Sequence, residues 1–72
     1  MHILETKNPT ISQLIYMKDL FDKEILLNYI VNKWEKNFNY GTVNHEQFHK
    51  EIDILELNII EVFSLMEDHY LV

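Results

Sequence analysis

One run of apolar residues constrains this chain more than anything else in it. Phe48, Ile52, Leu55, Ile59, Val62 and Met66 follow one another at steps of four, three, four, three and four. That is the step of a helix burying a single seam, and a strand with its period of two cannot use it. The spacing predicts a helix over about residues 44–70. Asn44 stands where a cap is needed, and Gln47 three residues on completes a capping-box pattern. Val43 and Phe48 are placed to form a hydrophobic staple across that start.

The first half carries a helical pattern of its own. Thr10 with Gln13 is a second capping-box signature, and Asn8 before Pro9 is another possible start. From Ile11 to about Asn37 two apolar stripes follow each other: Ile11, Leu14, Met17, Phe21 and Ile25, then Leu26, Leu27, Ile30, Trp34 and Phe38. At about 100° per residue they lie nearly opposite one another, with the change falling at Asp22-Lys23-Glu24. No glycine or proline marks a break there, so the pattern predicts one helix over about residues 10–37. The alternative is a helix broken near Asp22, which would cap the second piece and give a three-helix monomer. The only glycine, Gly41, lies between Tyr40 and Thr42 with Asn39 and Asn44 nearby, and it predicts the turn between the halves.

The expected fold is therefore all-α: an antiparallel hairpin of two long helices, about 10–37 and 44–70. It is expected to form a single domain over 1–72, with an irregular lead at 1–9 whose Ile3 and Leu4 pack onto the helices. Two helices cannot bury stripes that point in several directions, so a homodimer closing into a four-helix bundle is expected. Its core and dimer residues are Leu14, Met17, Phe21, Leu27, Ile30, Trp34, Phe48, Ile52, Leu55, Ile59, Val62 and Met66.

Composition narrows the function classes. The 72 residues include no cysteine, which excludes disulfides and thiolate metal sites. The longest apolar stretch, Ile25 to Val31, is short and interrupted by Asn28, so no membrane span or signal peptide is expected, and a cytoplasmic location is. The net charge is −6 and all six basic residues are lysine. A chain without arginine lacks the side chain best suited to bidentate phosphate and guanine contacts, and an acidic balance repels nucleic acid. Nine isoleucines and seven asparagines against no alanine suggest an AT-rich genome, such as that of a phage or plasmid.

One motif carries chemistry. His45-Glu46-Gln47-Phe48-His49 matches H-E-x-x-H and resembles the zinc-peptidase motif over those five residues. A catalytic zinc needs a third protein ligand and an open position. On a continuous helix Glu67 and Asp68 lie roughly 27 Å from His49, and Asp53 lies roughly 12 Å from His45, so none converges with both histidines. A third ligand has to come from Glu35, His2, Glu5 or a second subunit. The pair His45/His49 is read as solvated residues of a first helical turn, with no cofactor and no enzymatic activity expected. Ser12 and Ser64 have no histidine–acid partners, and no glycine-rich phosphate loop exists.

Charge is uneven along the chain. Helix one is balanced, whereas the second half sets Glu46, Glu51, Asp53, Glu56, Glu61, Glu67 and Asp68 against Lys50 alone. On one continuous helix, Leu57 and Ile60 form a small apolar strip opposite the seam, rimmed by Asp53, Glu56, Glu61 and Glu67. Apolar centre and charged rim are the anatomy of a recognition surface, here for a protein partner with a basic surface. The expected function is a small acidic, non-enzymatic interaction module: a regulator, an inhibitor, an antitoxin or immunity-type protein, or an adaptor. The alternatives are a structural subunit of a larger assembly and a metal-binding protein acting through His45 and His49.

Overall fold

Each of the two long helices expected from the periodicity breaks once. A computed structural model describes residues 9–70, with side chains through Asp68. The elements are α1 (Ile11–Leu20), α2 (Lys23–Tyr40), α3 (His45–Ile54) and α4 (Ile59–Tyr70). No strand occurs among the described residues, so the chain is all-α. Of the lead, Pro9 is buried; His2, Ile3, Leu4 and Glu5 lie outside the described residues.

α1 starts at a complete capping box. Thr10 Oγ1 accepts from the Gln13 backbone N–H at 3.2 Å, and Gln13 Oε1 accepts from the Thr10 N–H at 2.8 Å. The helix ends at Phe21, whose backbone is extended. Asp22 then caps α2, its carboxylate accepting from the Ile25 N–H at 3.0 Å. The expectation of one continuous helix over 10–37 is therefore corrected. The cause lies in the two opposed stripes. A straight rod would hold one of them away from the core, whereas a two-residue break turns the middle of the first and most of the second inward at the cost of a few helical hydrogen bonds. Asp22 replaces one of those bonds.

The second break falls where the seam predicts none. α3 closes through a pair of bonds around Glu56: the Glu56 N–H reaches Asp53 O at 3.1 Å and the Leu57 N–H reaches Ile52 O at 3.0 Å. This is the Schellman closure, and it requires a left-handed residue, here Glu56 at φ 56°. The same closure ends α2, with Gly41 at φ 68° and Thr42 N–H reaching Asn37 O at 2.8 Å. Asn58 then caps α4, its side-chain oxygen accepting from the N–H groups of Ile60 at 2.9 Å and Glu61 at 3.4 Å. The expected helix over 44–70 is thus two helices, so the three-helix alternative places the break at Asp22 correctly and misses this one.

α2 packs against each of the other three helices, and α1 also packs against α3. Leu14, Met17, Leu26, Leu27, Tyr29, Ile30, Val31, Trp34, Phe48, Ile52, Leu55, Val62 and Met66 form one buried core. Phe21 and Ile59 are half-buried against it, as are Phe38, Val43 and Leu57. Phe48 is the largest side chain fully enclosed. Its ring meets Trp34 at 5.7 Å and Phe38 at 5.1 Å, both edge-on, the geometry in which a positive ring edge faces a negative ring face.

Candidate interaction surface

Among the described residues, one charged group lies inside the core. Glu51, counted in the sequence among the acidic residues of the second half, is 0% exposed. Its Oε2 accepts from Lys33 Nζ at 2.6 Å and from Gln47 Nε2 at 2.9 Å, and its Oε1 accepts from Trp34 Nε1 at 3.0 Å. The Lys33 ammonium also stands 5.2 Å from the Trp34 ring centre and 5.8 Å from that of Tyr29. Gln47 is recruited inward by this carboxylate, so it does not reach back to the cap. Asn44 still accepts from the Gln47 N–H at 3.1 Å, leaving half of the expected capping box. A carboxylate enclosed by three donors has no open side for a substrate, and its role is to tie α3 to α2. Beside it the Tyr29 hydroxyl is buried without a hydrogen-bond partner. Burial, and then the negative charge of Glu51, raise its pKa above the ordinary tyrosine value.

The residues expected to form an acidic-rimmed strip do not lie on one helix. The strip presupposed a continuous helix, and the chain turns through it. Leu57 lies in the α3–α4 turn, half-buried against the core, while Ile60 stands 76% exposed in the first turn of α4. Asp53 lies near the end of α3, and Glu61 and Glu67 lie on α4; all three are exposed. Glu56 faces α1, where Lys18 Nζ lies 2.6 Å from its Oε2. The hydrogen bond and charge of Lys18 lower the Glu56 pKa below the ordinary carboxylate value, and Glu56 in turn raises that of Lys18.

His45 and His49 are both exposed on α3. The His45 ring stands 6.1 Å from that of Phe38, nearly perpendicular to it, and the His49 ring lies 5.6 Å from that of Phe48. The distance argument that separated His49 from Glu67 and Asp68 fails, because α3 and α4 are not one rod. Even so, no three histidine, aspartate or glutamate side chains gather in metal-binding range among the described residues. An open depression of about 320 Å³ lies between the start of α2 and α4, with Leu27 and Leu65 among its lining and Lys23, Glu24, Asn28 and Glu61 around them.

The surface that most resembles an interface is on α1. This helix is apolar on two sides. Leu14 and Met17 are fully buried, while Ile11, Ile15, Tyr16 and Leu20 stand 52%, 46%, 57% and 55% exposed. At about 100° per residue, the outward half carries Ile11 and Ile15 along one flank and Tyr16 and Leu20 along the other. Ser12 and Asp19 run between them, and both are exposed. Just past the break, Ile25 is a further exposed apolar side chain. The sequence put Ile11 and Ile25 on one apolar stripe with Leu14 and Met17; only the middle of that stripe is buried. No helix of the described residues is long and apolar enough to cross a membrane. Comparison with models of known protein families, with curated proteins and with solved structures finds no match to this chain.

Proposed function

We propose that this chain is a small acidic protein-interaction module rather than an enzyme, and that its binding surface is the outward face of α1. One observation carries the reading: four large apolar side chains stand about half exposed along a single ten-residue helix whose opposite side is fully buried. A 72-residue chain has little core to spare, and leaving such groups in water forgoes burial worth roughly 1–2 kcal/mol each. A surface of this kind marks a contact with protein. The role belongs to the class of regulators, inhibitors, antitoxin or immunity-type proteins and adaptors. The exposed carboxylates Asp53, Glu61, Glu67 and Asp68 add a field that steers a basic partner surface toward the molecule. The homodimer expected from the sequence also belongs to this reading, with the open apolar surface now on α1 rather than along two long helices. The alternative of a structural subunit uses the same face and differs only in the permanence of the contact.

The test is a photo-crosslinking amino acid placed at Ile15 and, separately, at Lys36 on the exposed side of α2, in the organism from which the chain comes. A defined adduct from Ile15 and none from Lys36 supports the reading. No adduct from either position, or equal adducts from both, overturns it.

A further inference from the structure

Building on the reading of α1 as an interface, we infer that its outward face is occupied by a second copy of the same chain, packed antiparallel about a two-fold axis. The pattern of the face is the reason. Ser12 and Asp19 are the two polar residues along its centre line, seven residues apart and within about 20° of each other around the helix. They are equidistant from the midpoint between Ile15 and Tyr16. A two-fold axis beside that midpoint sets Ser12 of each copy opposite Asp19 of the other, so each hydroxyl donates to a carboxylate and no carboxylate faces another. The two Asp19 side chains then lie about 10 Å apart along the helices. Ile15 meets Ile15 and Tyr16 meets Tyr16 beside the axis, with Ile11 and Leu20 at the margins. This is the self-complementarity that an isologous contact demands. A parallel pairing of the same helices would put Asp19 directly against Asp19.

Charge favours the same occupant. Asp19 is the only charged residue among the six on this face, so two molecules of net charge −6 meet here across a single carboxylate each. A basic partner would find a single carboxylate here, and more of them near Asp53 and along α4. The face lies on one ten-residue helix, so it covers less than the roughly 800 Å² per partner of a standard interface. The dimer is accordingly reversible, its population set by protein concentration.

The absence of cysteine makes the test direct, since each single substitution introduces the only thiol. Ile15→Cys, Tyr16→Cys, Ser12→Cys, Asp19→Cys and Lys36→Cys are oxidised gently at a concentration where sedimentation shows dimer. A disulfide needs Cβ atoms roughly 3.5–4.5 Å apart. Ile15→Cys and Tyr16→Cys should each form covalent homodimer at least tenfold faster than Lys36→Cys. Ser12→Cys and Asp19→Cys should cross-link to each other when mixed, and at least tenfold more slowly when each is alone. Equal rates at all five positions overturn the inference, as does faster linkage of Asp19→Cys to itself than to Ser12→Cys. A monomer mass at every concentration up to about 1 mM overturns it too. The photo-crosslinking result separates the two levels: an Ile15 adduct with a different protein refutes self-pairing and leaves the interaction module standing, whereas no adduct refutes both.

Discussion

Replacing Glu51 by leucine tests the account of the core. The substitution removes one carboxylate and strands three donors: the Lys33 ammonium, the Trp34 indole N–H and the Gln47 amide. Breaking a buried ion pair by deleting one partner costs about 3–5 kcal/mol, mainly because the other charge stays buried alone. Lys33 retains 15% side-chain exposure, so its ammonium has a route toward water, and the lower end, about 3 kcal/mol, is expected. At about 0.05–0.15 kcal/mol per residue, that is about a quarter or more of the stability of a chain this size. The double variant Lys33→Met/Glu51→Leu removes both charges and returns apolar volume. It should be at least 2 kcal/mol more stable than Glu51→Leu alone. Urea unfolding followed by circular dichroism and by Trp34 fluorescence measures both. A single variant within about 0.5 kcal/mol of wild type would refute the buried-pair reasoning, as would a double variant no better than the single.

Tyr29→Phe removes a buried hydroxyl that has no partner, so it should be neutral or stabilising by up to about 1 kcal/mol in thermal unfolding. Because folding raises the Tyr29 pKa above its usual 10.0, its contribution is fully present below pH 10 and is lost as pH climbs beyond it; Tyr29→Phe should blunt that alkaline loss. The exposed Lys18–Glu56 pair contributes between two limits: Glu56, lowered from 4.5, loses its share as pH falls through its folded value, and Lys18, raised from 10.5, loses its share as pH rises through its own. The stability difference between wild type and Lys18→Met should therefore be flat across neutral pH and vanish in acid; a difference unchanged at pH 2 would contradict the pairing. At the left-handed position, Glu56→Gly and Glu56→Ala both lose the ion pair, so their difference isolates the backbone. Glycine should be the more stable by about 1 kcal/mol, and Gly41→Ala should cost about the same, since both positions have positive φ.

What the sequence made legible was mostly local chemistry. Thr10, Asp22, Asn44 and Gly41 each have a side chain or a backbone freedom that marks a helix end, and each sits at one. Periodicity identified helical segments, and its change of stripe at Asp22 fell on the first bend; the second bend was hidden, because a seam of fours and threes reads alike across a turn that keeps its residues on the core. The α3–α4 turn had one readable signal: Asn58 with Glu61 three residues on repeats the spacing of Thr10 and Gln13. Its other half was silent, since Glu56 occupies a conformation usually marked by glycine or asparagine. Glu51 was illegible for a different reason. Nothing local distinguishes it from Glu46 or Asp53, and only the fold brings Lys33 and Trp34 of α2 to it. The outward face of α1 was hidden because Ile11 and Leu14 look alike in a pattern; burial alone tells them apart.

Whether α1 presents an interface or misplaced core is decided by Ile15→Lys/Tyr16→Lys. Sedimentation equilibrium from micromolar to millimolar protein is run beside urea unfolding at the lowest concentration. The account predicts a wild type whose mass rises toward the dimer with concentration. The variant should remain monomeric throughout, with monomer stability within about 0.5 kcal/mol of wild type, as befits exposed positions. A variant that keeps the wild-type association, or one that loses several kcal/mol of monomer stability, would contradict it.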